Sequence, residues 1–401
     1  MTAWSLARRS AARYKTRTAL AIAGVAVIGA LNFDMILLSR GLLLSFSQLL
    51  DAAGFDVRVT GGSGVPVPRT ALPGAEALAE KLGRLPEVEA VALLRFDEGF
   101  VSAGGSPERA VTIIGAGGSA SNAGWTIVGG RNLNPTGADA GSTVLVSRAV
   151  ASAFGVTPGA RIRLRSGAAG GESVVPAVDY QAVGIADFTF QSAGELTVAM
   201  APSAFDTLHG GARGDADLVL VRSAADAGAE AAARAISRLD ADLHVYSNAD
   251  LVQQFNRNNF AYFRQLSAVL STTTAVFTVL LIATLLTVSV NHRLGEIAAL
   301  RAIGVARRRI VAMLLWESGL MVGIGGTIAL PLGGLFAAVL DRILRRMPGL
   351  PERLHFFVFE PRAVEVHCVL LLLTGIAAAL YPVRMVVSMP IAETLRREVV
   401  S

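Results

Sequence analysis

Asn291-His-Arg-Leu-Gly-Glu-Ile-Ala-Ala-Leu-Arg301-Ala-Ile-Gly304-Val-Ala-Arg307-Arg-Arg-Ile310 is a polar, arginine-rich segment between two long apolar runs, residues 266–290 and 311–340. Each run exceeds the ~20 apolar residues that cross a bilayer at ~1.5 Å per residue. Arginines at the mouth of two spans place the loop in the cytoplasm by the positive-inside bias. Within it, 296–302 reads as a short helix, Gly304 breaks it, and Arg307, Arg308 and Arg309 restart it. A short helix beneath a membrane domain is a surface on which another protein can push.

Working outward, Arg8, Arg9, Arg13, Lys15 and Arg17 precede a first apolar run, 18–44. A charged start and an apolar stretch also describe a signal peptide, but this run outlasts the usual apolar region and reads as an uncleaved first span. Asn32 and Asp34 interrupt it. Asp34 falls ~24 Å along the helix from Thr18, near the far interface, so a solvated carboxylate is expected there. Leu42, Leu43, Phe46, Leu49 and Leu50 continue a helical stripe beyond the membrane, as a stalk would. Residues 251–265, with Phe255, Phe260 and Phe263 at helical spacing, read as its partner, running into the second span.

Between them, no stretch from 51 to 259 is apolar for long enough to span. Strands are expected at 88–94, 110–114, 142–146, 161–164, 180–185, 196–200 and 218–221, and helices at 73–85, 147–154 and 224–239. Alternation of this kind predicts a mixed α/β domain. Ile114-Gly115-Ala-Gly117-Gly-Ser-Ala120 matches a dinucleotide fingerprint, but Ser121–Gly124 continues without a helix to hold a pyrophosphate. A glycine-rich loop is the reading here.

The third span is rich in small residues: Gly319-x-x-x-Gly323, Gly325, Gly326, Gly333 and Gly334. Such residues let helices approach closely in lipid. Pro331 is placed to kink it. Glu317 either snorkels to the interface or pairs with the arginine-rich loop. The following loop carries Arg342, Arg345, Arg346, Arg353 and Arg362, against the topology. The inward side, with Arg293, Arg301, Arg307–Arg309, Arg384, Arg396, Arg397 and the N-terminal cluster, still outweighs it. A fourth span covers 364–387.

Composition excludes several function classes. The chain has 401 residues, 52% hydrophobic and 17% charged, with a formal charge of +5. Its only lysines are Lys15 and Lys81, and many arginines flank apolar runs, which suits membrane anchoring rather than nucleic acid. The single Cys368 permits no intrachain disulfide. Neither lysine sits in the Gly-x-x-x-x-Gly-Lys-[Ser/Thr] setting that cradles phosphate, so no ATP hydrolysis is expected. The histidines show no paired metal spacing, and no Gly-x-Ser-x-Gly elbow occurs. No catalytic residue, cofactor site or metal site is expected in this chain.

Arg293-x-x-Glu296-Ile, Leu300-Arg301-Ala302-x-Gly304 and Arg309-Ile310 resemble the loop of the MacB/FtsX-like permeases, subunits of ABC transporters. Pro382, Pro390 and Leu395-Arg396-x-Glu398 resemble that family's C-terminal signature. In the outer domain, Gly130-Arg-x-Leu, Val144-Leu-Val-Ser147, Ala153-Phe-Gly155-Val-x-Pro158-Gly159, Arg161-Ile-Arg-Leu164 and Val183-Gly-Ile185 are similar to the family's extracytoplasmic core.

The resemblance implies an α-helical membrane protein with four spans and an α/β domain between the first and second. Its expected segments are a cytoplasmic start (1–17), span and stalk (18–50), MacB-like core (51–250), and stalk and second span (251–290). The coupling loop (291–310), third span (311–340), outer loop (341–363), fourth span (364–387) and cytoplasmic tail (388–401) follow. It also implies a cytosolic ATPase dimer carrying ATP and Mg, gripping Arg293, Glu296, Leu300, Arg301, Ala302, Gly304 and Arg307–Arg309. A second permease copy or paralogue would pack at Gly319, Gly323, Gly326 and Gly333. Membrane lipids and, in tripartite efflux, a periplasmic membrane-fusion adaptor are further implied partners. The location implied is the bacterial inner membrane, and the action is extrusion of a lipid-like, drug-like or lipoprotein substrate. An FtsX-like regulator that activates a cell-wall hydrolase is the alternative.

Overall fold

In the computed structural model the first apolar run and the stripe beyond it form one helix, α1 (Lys15–Ala52). The structure describes Arg13 and residues 15–62, 71–119, 124–167, 176–209, 214–240, 242–258, 260–292, 294–347 and 351–388. After α1 come β1 (Val57–Thr60), α2 (Ala75–Leu82), β2 (Val88–Ser102), β3 (Arg109–Gly118), β4 (Trp125–Gly130) and β5 (Thr143–Ser147). Next are α3 (Arg148–Phe154), β6 (Arg161–Ser166), β7 (Val178–Phe188), β8 (Thr197–Met200), α4 (Pro202–His209), β9 (Leu218–Ser223) and α5 (Ala229–Leu239). The chain ends with β10 (His244–Ser247), α6 (Asn248–Asn258), α7 (Phe260–Asn291), α8 (Leu294–Ala302), α9 (Arg307–Leu344) and α10 (Pro361–Ser388).

The chain divides into two units. One, residues 43–258 with 344–354, is the mixed α/β domain. Its ten strands join one sheet, in which β2, β3, β8, β5, β7 and β6 pair in turn and β6 returns to β2. The closed ring leaves these six strands no free edge among themselves. Its closure depends on the length of β2, whose first half pairs β9 at Leu93↔Val219 while its second half pairs β6 at Val101↔Leu164. Val101, Ile113, Val144, Val146, Ile162, Leu164, Tyr180 and Met200 fill one core beside the ring. Tyr180 meets the need for a buried polar partner by donating to Ala204 O at 3.0 Å.

The β5–α3–β6 corner follows local rules. Ser147 caps α3, its Oγ accepting from Val150 N. Gly155 ends the helix at φ +65°, the left-handed position that glycine takes without strain.

Two expectations are corrected here. Gly115 and Gly117 belong to strand β3 rather than to a loop. They are small because α4 packs over them: a Cβ on Gly115 would lie 2.7 Å from the Phe205 ring, and one on Gly117 would lie 2.7 Å from Pro202 Cγ. The short strands β1, β4 and β10 and helix α4 were not expected from the sequence pattern.

The other unit holds α7 through most of α9, α10, and α1 up to Leu42. Four of its helices are long and apolar enough to cross a membrane: α1, α7, α9 and α10. Helix α1 meets α9 where glycines admit it. A Cβ on Gly325 would lie 2.7 Å from Val25 Cβ, and one on Gly333 would lie 2.9 Å from Ala30 O. Val25, Ile282, Leu286, Val322, Ala378 and Ala379 form a buried seam that all four helices share.

Candidate coupling site

The polar segment between α7 and α9 folds as the short helix α8, and apolar spacing sets its orientation. Leu294, Ile297 and Ala298, at helical i, i+3 and i+4 positions, point inward. Ile297 and Ala298 are buried, and Ile297 clusters with Val290, Ile310 and Leu314, with Leu294, Val305, Val383 and Met385 packed around them. The helix is therefore seated on α7, α9 and α10 by a small apolar core.

A backbone turn ends the helix. Ile303 N donates to Ala299 O at 3.0 Å and Gly304 N to Arg301 O at 3.1 Å. Gly304 then takes φ +94°, a conformation that side-chain-bearing residues rarely adopt. The turn leaves Ile303 81% exposed, the largest exposure among the large hydrophobic residues described. Sequence reasoning omitted Ile303. The signal for it was an isoleucine held between Ala302 and a helix-breaking glycine, where a side chain has nothing of its own chain to cover it.

Arg307, Arg308 and Arg309 open α9 and are exposed, with no acidic residue in that first turn. Cations at a helix N-terminus oppose its dipole by ~0.3–1 kcal/mol each. The helix dipole therefore does not account for them. Arg301 is half-buried. Glu296, Leu300 and Ala302 lie in α8, while Arg293 falls outside the described residues.

The remaining sequence candidates separate by environment. Gly326 lies under Leu371, and Gly333 lies against α1. Gly319 and Gly323 meet no described atom within 4 Å where a Cβ would stand, so their face of α9 is open among the described residues. Pro382 is buried inside α10; Pro390, Leu395, Arg396 and Glu398 lie outside the described residues. Among the described residues, no group of three or more His, Cys, Asp or Glu could hold a metal ion.

One membrane carboxyl differs from expectation, and for a second only the first of two readings fails. Asp34 is 4% exposed rather than solvated, because its turn of α1 is enclosed by the bundle. Glu317 is fully buried rather than snorkelling, and Ser289 Oγ donates to its Oε1 at 3.4 Å. Both sit where α1 and α9 turn toward neighbouring helices, a placement that one-dimensional depth cannot report.

Comparison with known proteins gives two family matches. The family model described as the MacB-like periplasmic core domain matches residues 18–239. The FtsX-like permease C-terminal model matches 268–391. An uncharacterised ABC transporter permease of Mycobacterium tuberculosis is 34% identical over 108 residues, 26% of this chain. That match spans 12% of the relative's own length. Among solved structures, the periplasmic region of MacB from Actinobacillus actinomycetemcomitans aligns with a TM-score of 0.39 at 13% identity, covering 51% of this chain and 94% of that one. The extracellular domain of the YknZ transporter from Gram-positive bacteria aligns with a TM-score of 0.35 at 14% identity, covering 48% and 99%.

Proposed function

Because this chain belongs to the MacB/FtsX-like family of ABC transporter permeases, we propose that it transmits the work of a separate cytosolic ATPase to its extracytoplasmic domain. It is a membrane protein, and the α/β domain between its first and second spans is extracytoplasmic. In this reading an ATPase dimer, which carries ATP and Mg, closes on α8 and the start of α9. Ile303 supplies an apolar contact and Arg307–Arg309 meet acidic groups of the partner. The spans carry the motion to the outer domain, which expels a lipid-like, drug-like or lipoprotein substrate. A second permease copy or paralogue packs on the open Gly319–Gly323 face, with lipid around the pair. The setting is the inner membrane of a bacterium, with a membrane-fusion adaptor where the system is tripartite.

The observation that carries this reading is the seating of α8. A helix with an apolar inner face locked to three spans, and an exposed isoleucine and three unneutralised helix-start arginines beside it, is built to receive a load. The test is recovery of an ABC ATPase with the tagged full chain from its native membrane. Recovery should be lost with Glu296→Lys or Arg301→Glu. Unchanged recovery with both variants overturns the assignment of the loop. Transport that continues with a disabled ATPase overturns the coupling.

A further inference from the structure

The membrane bundle holds a small cavity, lined by apolar side chains together with four polar ones, that the transmission of force does not use. It lies where α1, α7 and α10 meet, bordered by Gly29, Asn32, Thr278, His367 and Thr374, with about 10 Å³ open to a water-sized sphere. His367 is 1% exposed and Asn32 is 7% exposed. Asn32 spends its amide hydrogens on α7: Nδ2 donates to Ser271 O at 3.1 Å, Ser271 Oγ at 2.9 Å and Thr274 Oγ1 at 3.1 Å. Its Oδ1 accepts nothing, and neither ring nitrogen of His367 has a protein partner. Two residues that line one cavity thus carry three buried polar atoms without a bond.

Apolar neighbours would leave these atoms unsatisfied, and unmade hydrogen bonds in a low-dielectric interior are destabilising. Four of the side chains lining the cavity are polar, and its size is at the lower end of the ~10–15 Å³ that admits one water, which typically makes about three hydrogen bonds. We propose that it is a binding site for a single structural water, bridging Asn32 Oδ1 on α1 to the imidazole of His367 on α10. The water donates to Asn32 Oδ1 and exchanges a second bond with one ring nitrogen. Thr278 and Thr374 already donate their hydroxyl hydrogens, to Thr274 O and Leu371 O at 2.9 Å each. Their oxygens remain acceptors for a further bond. Gly29 borders the same space: a Cβ there would stand 3.0 Å from Ala329 Cβ on α9 and in ordinary contact, 3.7 Å, with His367 Cε1. The site fastens α1 to α10 on one side while the Asn32 amide fastens it to α7 on the other. It does not rest on the transport reading.

The test is a density map of the full chain in lipid nanodiscs at a resolution that shows ordered water. A spherical peak ~2.7–3.2 Å from Asn32 Oδ1 and from one His367 nitrogen is expected. An empty cavity, or Asn32 and His367 bonded directly, overturns the proposal. Thermal unfolding of Asn32→Leu, His367→Leu and the double variant gives a second readout. Each single change should lower Tm by ~2–4 °C or more. The double should fall no further than the worse single, because both lose the same water. Additive losses, or a rise in Tm for His367→Leu, overturn it. If a variant fails to fold, the map of the unaltered chain decides.

Discussion

Asn248 Nδ2 donates to Asp51 Oδ1 at 3.0 Å, tying the first turn of α6 to the last turn of α1 across 197 residues of sequence. The same amide donates to Phe55 O at 3.2 Å, and its Oδ1 accepts from Arg58 Nη1 on β1. Phe46 and Phe255, on the same two helices, pack with tilted rings whose centroids are 4.3 Å apart. Both ends of the outer domain's chain are therefore held to each other and to the sheet by one side chain. Burial pushes the Arg58 guanidinium down to about 10, against the pull of Asp51 and Asp56.

Asn248→Leu removes the amide acceptor of a buried guanidinium, and a hydrogen bond to a charged group contributes ~1.5–3 kcal/mol. Full-chain thermal unfolding should show a large loss of stability. Adding Arg58→Met should return a substantial part of it, since no buried charge then lacks its acceptor. A double variant no more stable than Asn248→Leu alone would show that the node is not organised around Arg58.

At the loop, Ile303→Asp replaces an exposed apolar contact with a carboxylate. Covering an isoleucine contributes ~1.5–3 kcal/mol, so ATPase recovery should fall by about tenfold or more. The melting temperature should not change, because this side chain is exposed. Equal recovery of the ATPase would remove Ile303 from the docking surface.

In strand β3, Gly115→Ala sets a methyl against the Phe205 ring. Overpacking of this kind costs ~1–3 kcal/mol. Phe205→Leu in the same chain should recover part of the loss by clearing the space. Measured by denaturant unfolding, a neutral Gly115→Ala would show that α4 can shift off the strand.

Acid should weaken the outer domain through its surface pairs. Hydrogen bonding from Arg148 holds the Asp187 carboxyl below its ordinary range, aided by Arg353, and Arg163 does the same for Asp179 and Arg165 for Glu108. A depressed folded pKa adds stability above the unfolded value, which is lost as pH falls through the folded one. Asp217 runs the other way: burial raises its carboxyl, so its contribution is greatest at low pH and declines as pH rises through the raised value. Between pH 5 and 2 the Tm should drop, and Asp187→Asn should flatten part of that slope. A slope unchanged by Asp187→Asn would place the acid sensitivity elsewhere.

Much of the architecture was legible because its signals are local. Runs such as 266–290 declare a span by length alone, and the Ser147 cap with Gly155 declares a helix by residue type at two ends. Strand β1 was not legible, because Arg58 interrupts its apolar pattern and is tolerated through Asn248, far away in the chain, together with Asp51 and Asp56. Gly115 and Gly117 looked like a loop because glycine marks both a turn and a close approach; only the position of Phe205 and Pro202 separates the two. At the loop, the short helix and its glycine stop could be read, while the exposure of Ile303 required knowing which face α8 buries.

By itself the sequence determined where the chain enters the membrane, that an α/β domain lies between the first two spans, and which segment hangs as a loop. Hydropathy and turn chemistry act over a few residues, so a linear reading captures them. Tertiary structure alone decided that β6 closes a ring between β2 and β7, that Asp34 and Glu317 are enclosed, and that Asn32 and His367 border one cavity. Those outcomes depend on which distant surfaces meet, and burial or pairing energies of that kind belong to the packed chain rather than to any stretch of it.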